Sequence, residues 1–215
     1  MKYIQLLLLL LCPLLLLTSC DFEADQIGYE DVKGLYRGEG EAFVTVNESE
    51  GLTLPDGRHL NYGDTLVGVM KSPEPLEMGV MVNTEGRMRF ATSVPMIHVL
   101  GREMKIKYLG VNQLPVNIKG NHIISWGTSV LETPSLNLPI ETVYIPLDNI
   151  DIDFEEDGIL LSVTGRGYVA VSIVNYTIQM DLMIEEAPVF LSEGCALWMK
   201  YKGLMYSQES YDVRI

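Results

Sequence analysis

The chain has 215 residues, 47% of them hydrophobic, with 29 acidic against 15 basic residues and a formal net charge of −14. It is long enough for one large domain or two small ones, and apolar enough to fill a core. So acidic a surface repels nucleic acid and anionic lipid, which removes both as partners of the folded domain's bulk charge.

In chain order, the first element is an apolar leader. Met1, Lys2 and Tyr3 precede Ile4 to Leu17, which is almost wholly apolar but interrupted by Pro13. A bilayer-crossing helix needs about 20 such residues, so the run is too short for a comfortable span and reads as a secretory signal. It ends in Leu17-Thr18-Ser19-Cys20. These four residues resemble the lipobox of bacterial lipoproteins, which implies removal of residues 1–19 and lipidation of Cys20. The class carries more than one acyl chain on that cysteine, and several chains anchor stably where one binds marginally.

Asp21, Glu23 and Asp25 follow. Acidic residues behind the lipidated cysteine are similar to the surface-export signals of Bacteroides-type lipoproteins, which implies the outer membrane and the cell surface. In other Gram-negative bacteria an aspartate there implies inner-membrane retention instead. Residues 20–31 are expected to form an acidic tether, and residues 32–215 a single β-rich domain.

Within that domain the apolar period is two rather than 3.6. Tyr176, Ile178, Met180, Leu182 and Ile184 share one face, with Thr177, Gln179 and Asp181 on the other. Met104 to Tyr108 and Arg87 to Phe90 repeat the pattern, and Pro55-Asp56-Gly57, Thr84-Glu85-Gly86, Lys119-Gly120-Asn121 and Glu156-Asp157-Gly158 supply turns. The spacing predicts hairpins over residues 80–92 and 149–171 and no amphipathic helix. Pro73, Pro75, Pro134 and Pro139 mark places where a central strand is disfavoured. The expected fold is all-β: an antiparallel two-sheet sandwich, with a closed barrel as the alternative. Gly38-Glu39-Gly40 and Gly165-Arg166-Gly167 set glycines on one strand face, the mark of a bend or a close backbone approach.

Asp31-Val32-Lys33-Gly34-Leu35-Tyr36 is similar to the first strand of lipocalin and calycin barrels, with tyrosine where lipocalins carry tryptophan. The resemblance implies a calycin-like barrel with a small-ligand cavity. The sequence also resembles the β-rich lipoproteins of Bacteroides-type gut bacteria.

Chemistry is sparsely signalled. Asp153, Glu155, Asp157 and Gly158 imitate the opening of a calcium loop, but Thr164 occupies the closing carboxylate's position. A strand with Ile150, Ile152 and Phe154 inward and a turn at residues 155–158 explains the same run. His59, His98 and His122 stand apart and form no local ligand pattern, and no nucleophile elbow or C-x-x-C occurs. No enzyme and no cofactor is expected. Cys195, in an apolar setting, reads as a core residue.

Aromatic side chains suit recognition of sugars or proteins, so Trp126, Trp198, Tyr201 and Tyr206 are the candidate ligand-binding residues. The alternation of Leu197, Met199 and Tyr201 against Trp198 and Lys200 equally fits core packing. Arg87, Arg89, Arg102, Lys105 and Lys107 cluster in an acidic protein, as a site for an anion or as solvated strand faces. Asp64-Thr65-Leu66 resembles the O-glycosylation motif of Bacteroidetes exported proteins, which implies Thr65 as acceptor. Together these features predict a lipid-anchored envelope protein that binds a glycan, an envelope protein or an apolar ligand without catalysis. The competing reading is an adhesion or structural subunit, or an accessory part of an outer-membrane uptake complex.

Overall fold

The computed structural model describes residues 27–99, 101–120, 122–125, 129–130 and 139–208. The leader, Cys20 and the acidic residues behind it lie outside the described residues, as do Trp126, Pro134 and the stretch 131–138.

The strands are β1 (Gly34–Val46), β2 (Leu52–Thr53), β3 (His59–Leu60), β4 (Thr65–Lys71), β5 (Leu76–Val82), β6 (Arg87–Val99) and β7 (Arg102–Lys119). They continue with β8 (His122–Ser125), β9 (Ser129–Val130), β10 (Pro139–Glu141), β11 (Ile145–Glu156), β12 (Ile159–Val174), β13 (Thr177–Glu186) and β14 (Cys195–Ser207). Eight of them close into an antiparallel barrel in the order β1-β5-β6-β7-β11-β12-β13-β14 and back to β1. Each neighbour around the ring is the next large strand of the chain, an up-and-down meander.

The closed barrel replaces the expected two-sheet sandwich. Closure rests on β11, which pairs with β12 from Ile145↔Val169 to Glu156↔Ile159 and with β7 from Ile150↔Val111 to Glu155↔Lys105. A sandwich would leave one of those edges bare.

Two of the eight wall positions are each shared by two strands. β4 and β5 run in the same direction along β1, β5 against Gly34–Gly38 and β4 against Glu41–Thr45, separated by the excursion Ser72–Pro75. Two of the four prolines that disfavour a central strand, Pro73 and Pro75, sit in that break. Likewise β8 and β11 lie in line between β7 and β12.

Alternation places Tyr36, Val44, Met78, Phe90, Ile106, Ile152, Phe154, Val171, Leu182 and Leu197 inside, all essentially solvent-free. An eight-stranded barrel is just wide enough for side chains to fill. A one-turn 3-10 helix, Tyr29–Val32, closes the lower rim: Val32 is fully buried and the Tyr36 hydroxyl donates to its carbonyl at 2.8 Å. The upper rim is closed by residues 187–194, whose Phe190 lies 5.1 Å from Phe154 with the rings tilted by 58°. Arg102 fastens this plug. Its guanidinium grips both Glu156 oxygens at 2.7 Å and also donates to the carbonyls of Val189, at 2.7 Å, and Phe190, at 3.4 Å.

The glycine pairs explain the tightness of the wall. A Cβ on Gly38 would lie 1.9 Å from the Lys202 carbonyl oxygen, and one on Gly167 1.8 Å from that of Met183. Only hydrogen fits there. The predicted hairpins form around residues 83–86 and Asp157-Gly158, and a third turns at Asn175-Tyr176 with both residues at positive φ. Tyr176 therefore belongs to a turn and not, as its alternation suggested, to the inward face of β13.

Candidate functional site

The barrel wall has a lateral slot. In its lower half β5 pairs with β6 from Met78↔Thr92 to Val82↔Met88. Above the Ser72–Pro75 break, β4 stays on β1 and makes no backbone ladder with the upper half of β6. The bridging contact here is the His98 backbone N–H donating to Met70 Sδ at 3.4 Å. β6 bends away through register shifts between Thr92 and Val94 and between Val94 and Ile97, the effect of bulges on a strand.

Behind this gap lies a cavity of about 430 Å³, within the size range of small-ligand pockets. It is lined by the inward residues Ala42, Met199 and Met180 of the successive strands β1, β14 and β13, with Leu76 and Val94. Tyr201 completes the lining. Its ring lies across Gly203, whose added Cβ would fall 2.3 Å from the Tyr201 oxygen, and its hydroxyl donates to the Leu76 carbonyl at 3.3 Å. Burial holds that hydroxyl protonated well above the ordinary tyrosine range. The residues lining the slot also include Lys71, Lys105, Lys200 and Glu41, and Asp181 and Glu155 stand opposite Lys200 and Lys105 in register. Glu41 stands opposite both Lys71 and Lys200 in register, yet none of the three lysines forms an ion pair among the described residues.

The predicted binding aromatics do not converge. Tyr201 faces inward at the slot, 4% exposed. Trp198 faces outward and stacks on Phe43 with centroids 6.0 Å apart and planes within 4°, while Tyr144 meets it edge-on. Lys200 Nζ sits 5.8 Å from the centre of the Phe43 ring. Tyr206 is near the lower rim under the Arg37 guanidinium, 4.6 Å from its ring centre. Trp126 is outside the described residues. Thr65 is exposed at the start of β4, on the upper rim.

The acidic run of residues 148–158 is a strand and a turn whose carboxylates diverge. Glu155 pairs with Lys107 at 2.8 Å and Glu156 with Arg102, and each cation's hydrogen bond holds its carboxylate below the usual range. Asp151 accepts from Asn112 Nδ2 at 3.0 Å. Among the described residues no group of three or more His, Cys, Asp or Glu is placed to hold a metal ion. The histidines are dispersed: His59 touches Thr53 Oγ1 at 3.1 Å, His98 is at the slot, and His122 is buried with its Nε2 lacking a hydrogen-bond partner among the described residues.

An open concavity of about 920 Å³ also runs over the outside of β5, β6, β7, β11 and β12, where the Tyr108 ring covers Gly110. It is larger but touches mainly outward strand faces. Of the basic cluster read from the sequence, Arg102 and Lys107 are occupied by Glu156 and Glu155, and Lys105 lines the slot. Sequence reading missed Lys71 and Lys200; the signal next to them was the proline pair that breaks the β4–β5 wall. Compared with models of protein families, with curated proteins and with solved structures, the chain matches none, so the barrel's own geometry carries the functional reading.

Proposed function

We propose that this is a lipid-anchored envelope protein, fastened through Cys20 at the outer membrane and displayed at the cell surface, whose calycin-like barrel binds a small apolar ligand without catalysis. The observation that carries the reading is the slot between β4 and β6, where an otherwise filled barrel opens onto Met180, Met199 and Tyr201. Anchoring fits the topology: Ile27 leads into the lower rim through the 3-10 turn, and the slot opens in the upper half of the wall. Seven residues from Cys20 to Ile27 span at most about 25 Å, so the lower rim would face the bilayer and the slot would stand clear of it.

The test has two parts. Cys20→Ala moves the protein from the membrane fraction to the soluble one; retention with unchanged mobility overturns the anchor. Full-length protein is also purified, extracted with organic solvent and the extract weighed by mass spectrometry, beside Ala42→Phe, which fills the slot. A small molecule present in near-equimolar amount and lost from Ala42→Phe supports the reading; an extract identical for both overturns it.

The alternative, an adhesion subunit or an accessory component of an uptake complex, draws on a different property of the same place. Among the described residues β4 pairs with β1 alone, leaving one backbone edge that an extended segment of another chain would lengthen by strand addition. A covalent cross-link from β4 to a second protein in intact envelopes, with no extractable small molecule, is its signature.

A further inference from the structure

We propose that the open concavity on the outer wall is a second binding site, which takes a neutral glycan laid over the ring of Tyr108; it does not depend on what fills the slot. The outside of a barrel is convex, and this stretch is hollow because one row of the wall carries almost no side chains. Gly79, Ala91 and Gly110 stand opposite one another on β5, β6 and β7, and the row continues to Asp151 on β11 and Thr164 on β12. At its other end Leu35 of β1 stands opposite Gly79. With neighbouring strands about 4.8 Å apart, the row runs about 24 Å along the wall. The hollow measures about 920 Å³, room for a short chain of sugars.

Small residues in a row are by themselves a matter of packing; the ring that lies among them marks the site. A Cβ added to Gly110 would fall 2.4 Å from the Tyr108 hydroxyl oxygen and 2.7 Å from its Cε1 and Cζ. One face of the ring therefore rests on the backbone, and the other looks into the hollow. Burial, and after it the charge of Asp151, raises the pKa of Tyr108, so its hydroxyl remains a donor. Asp153 stands opposite Tyr108 in register, with Ser162 opposite Asp153. One row away Asp151 is oriented by Asn112 Nδ2 at 3.0 Å. Among the described residues Asp153 forms no ion pair. The other charges at the rim are Lys107 with Glu155 and Glu77 with Arg37, each pair matched, and Arg89, whose charge acts on Tyr108. A pyranose presents the complementary surface: a C–H face for the ring, and a border of hydroxyls for the carboxylates and the serine and threonine side chains. An apolar ligand would strip water from Asp151 and Asp153 without replacing it. A polyanion would be repelled by them.

The test is affinity electrophoresis of the full-length protein in mild detergent, through native gels cast with laminarin, mannan, xylan or pullulan and through gels without polysaccharide. At least one polymer is expected to retard the parent, and free oligosaccharide cut from that polymer to restore its mobility. Tyr108→Ala should weaken the binding by at least about tenfold, whereas Tyr108→Phe, which keeps the ring, should be retarded. Tyr108→Ala also uncovers Gly110, so Ser93→Arg is the second variant. It fills the hollow from an exposed position without removing a packed group, and should abolish retardation with an unchanged melting temperature. Ala42→Phe should run as the parent does, which separates this site from the slot. A parent that none of the polymers retards overturns the proposal. So does retardation that survives Tyr108→Ala and Ser93→Arg but is lost in Trp198→Ala, which would place the glycan on the outward stack of Trp198 and Phe43.

Discussion

Replacing Phe190 with alanine tests whether residues 187–194 are a structural plug or a loop lying on the rim. Phe190 is 1% exposed and packs on Phe154, so alanine removes a whole buried ring and one aromatic pair. Buried Phe→Ala changes cost about 3–5 kcal/mol, and the pair itself about 0.5–1.5 kcal/mol of that. The plug borders solvent and can settle into the space, which argues for the lower end, about 3 kcal/mol. For a domain of this size the melting temperature should then fall by about 6–12 °C. Urea unfolding gives the free energy directly, with the slope m checked for constancy. The neighbouring Val189 is the control: 64% exposed and β-branched, it sits at φ +70, which glycine adopts without strain. Val189→Gly should leave stability unchanged or raise it. A loss below about 1 kcal/mol for Phe190→Ala would refute the plug, because a ring on an open rim loses little when truncated.

Three further expectations follow from the wall and the core. Gly38→Ala or Gly167→Ala forces a Cβ into backbone carbonyls and should lower stability severely, seen as loss of the folded near-ultraviolet spectrum, whereas Gly68→Ala, with nothing within 4 Å of its Cβ, should be tolerated. Tyr36 and Tyr201 are held protonated by burial, so above about pH 10 the unfolded chain binds fewer protons than the native one. Stability should then fall as pH rises, by up to about 1.4 kcal/mol per pH unit for each tyrosine, and Tyr36→Phe should flatten the slope. Burial likewise pushes the Cys195 thiol up, so iodoacetamide should label the Cys195 peptide in denaturant and spare it in the native protein at neutral pH.

Strand identity was legible in the sequence because side-chain direction alternates locally. Ile150, Ile152 and Phe154 read as inward, and are. Closure was not legible. It depends on β11 finding β7 across a long stretch of chain, and the same alternation serves a sandwich or a barrel. The glycine pairs signalled close approach without naming the partner carbonyls at Lys202 and Met183. Tyr176 misled because a two-residue turn preserved the apolar rhythm of the strand that follows it. The slot was visible only in outline: Pro73 and Pro75 marked a broken wall, but Lys71, Lys105 and Lys200 share no motif. Strand pairing, not a local motif, sets Lys71 and Lys200 on either side of Glu41, whereas the parting of Trp198 from Tyr201 on opposite faces of the wall is strand alternation, already legible in the sequence.

The break at Ser72–Pro75 also divides the barrel mechanically. Below it β5 is laddered to both β1 and β6, so this part of the circumference is closed by backbone hydrogen bonds. Above it the circumference is a split ring, across which the His98 backbone N–H of β6 donates to Met70 Sδ of β4. Widening the split would break no backbone ladder between β4 and β6, whereas widening the lower part would break the one between β5 and β6. Amide exchange along β6 should record that division, slow at Met88 and Phe90 and fast from Ile97 to Val99.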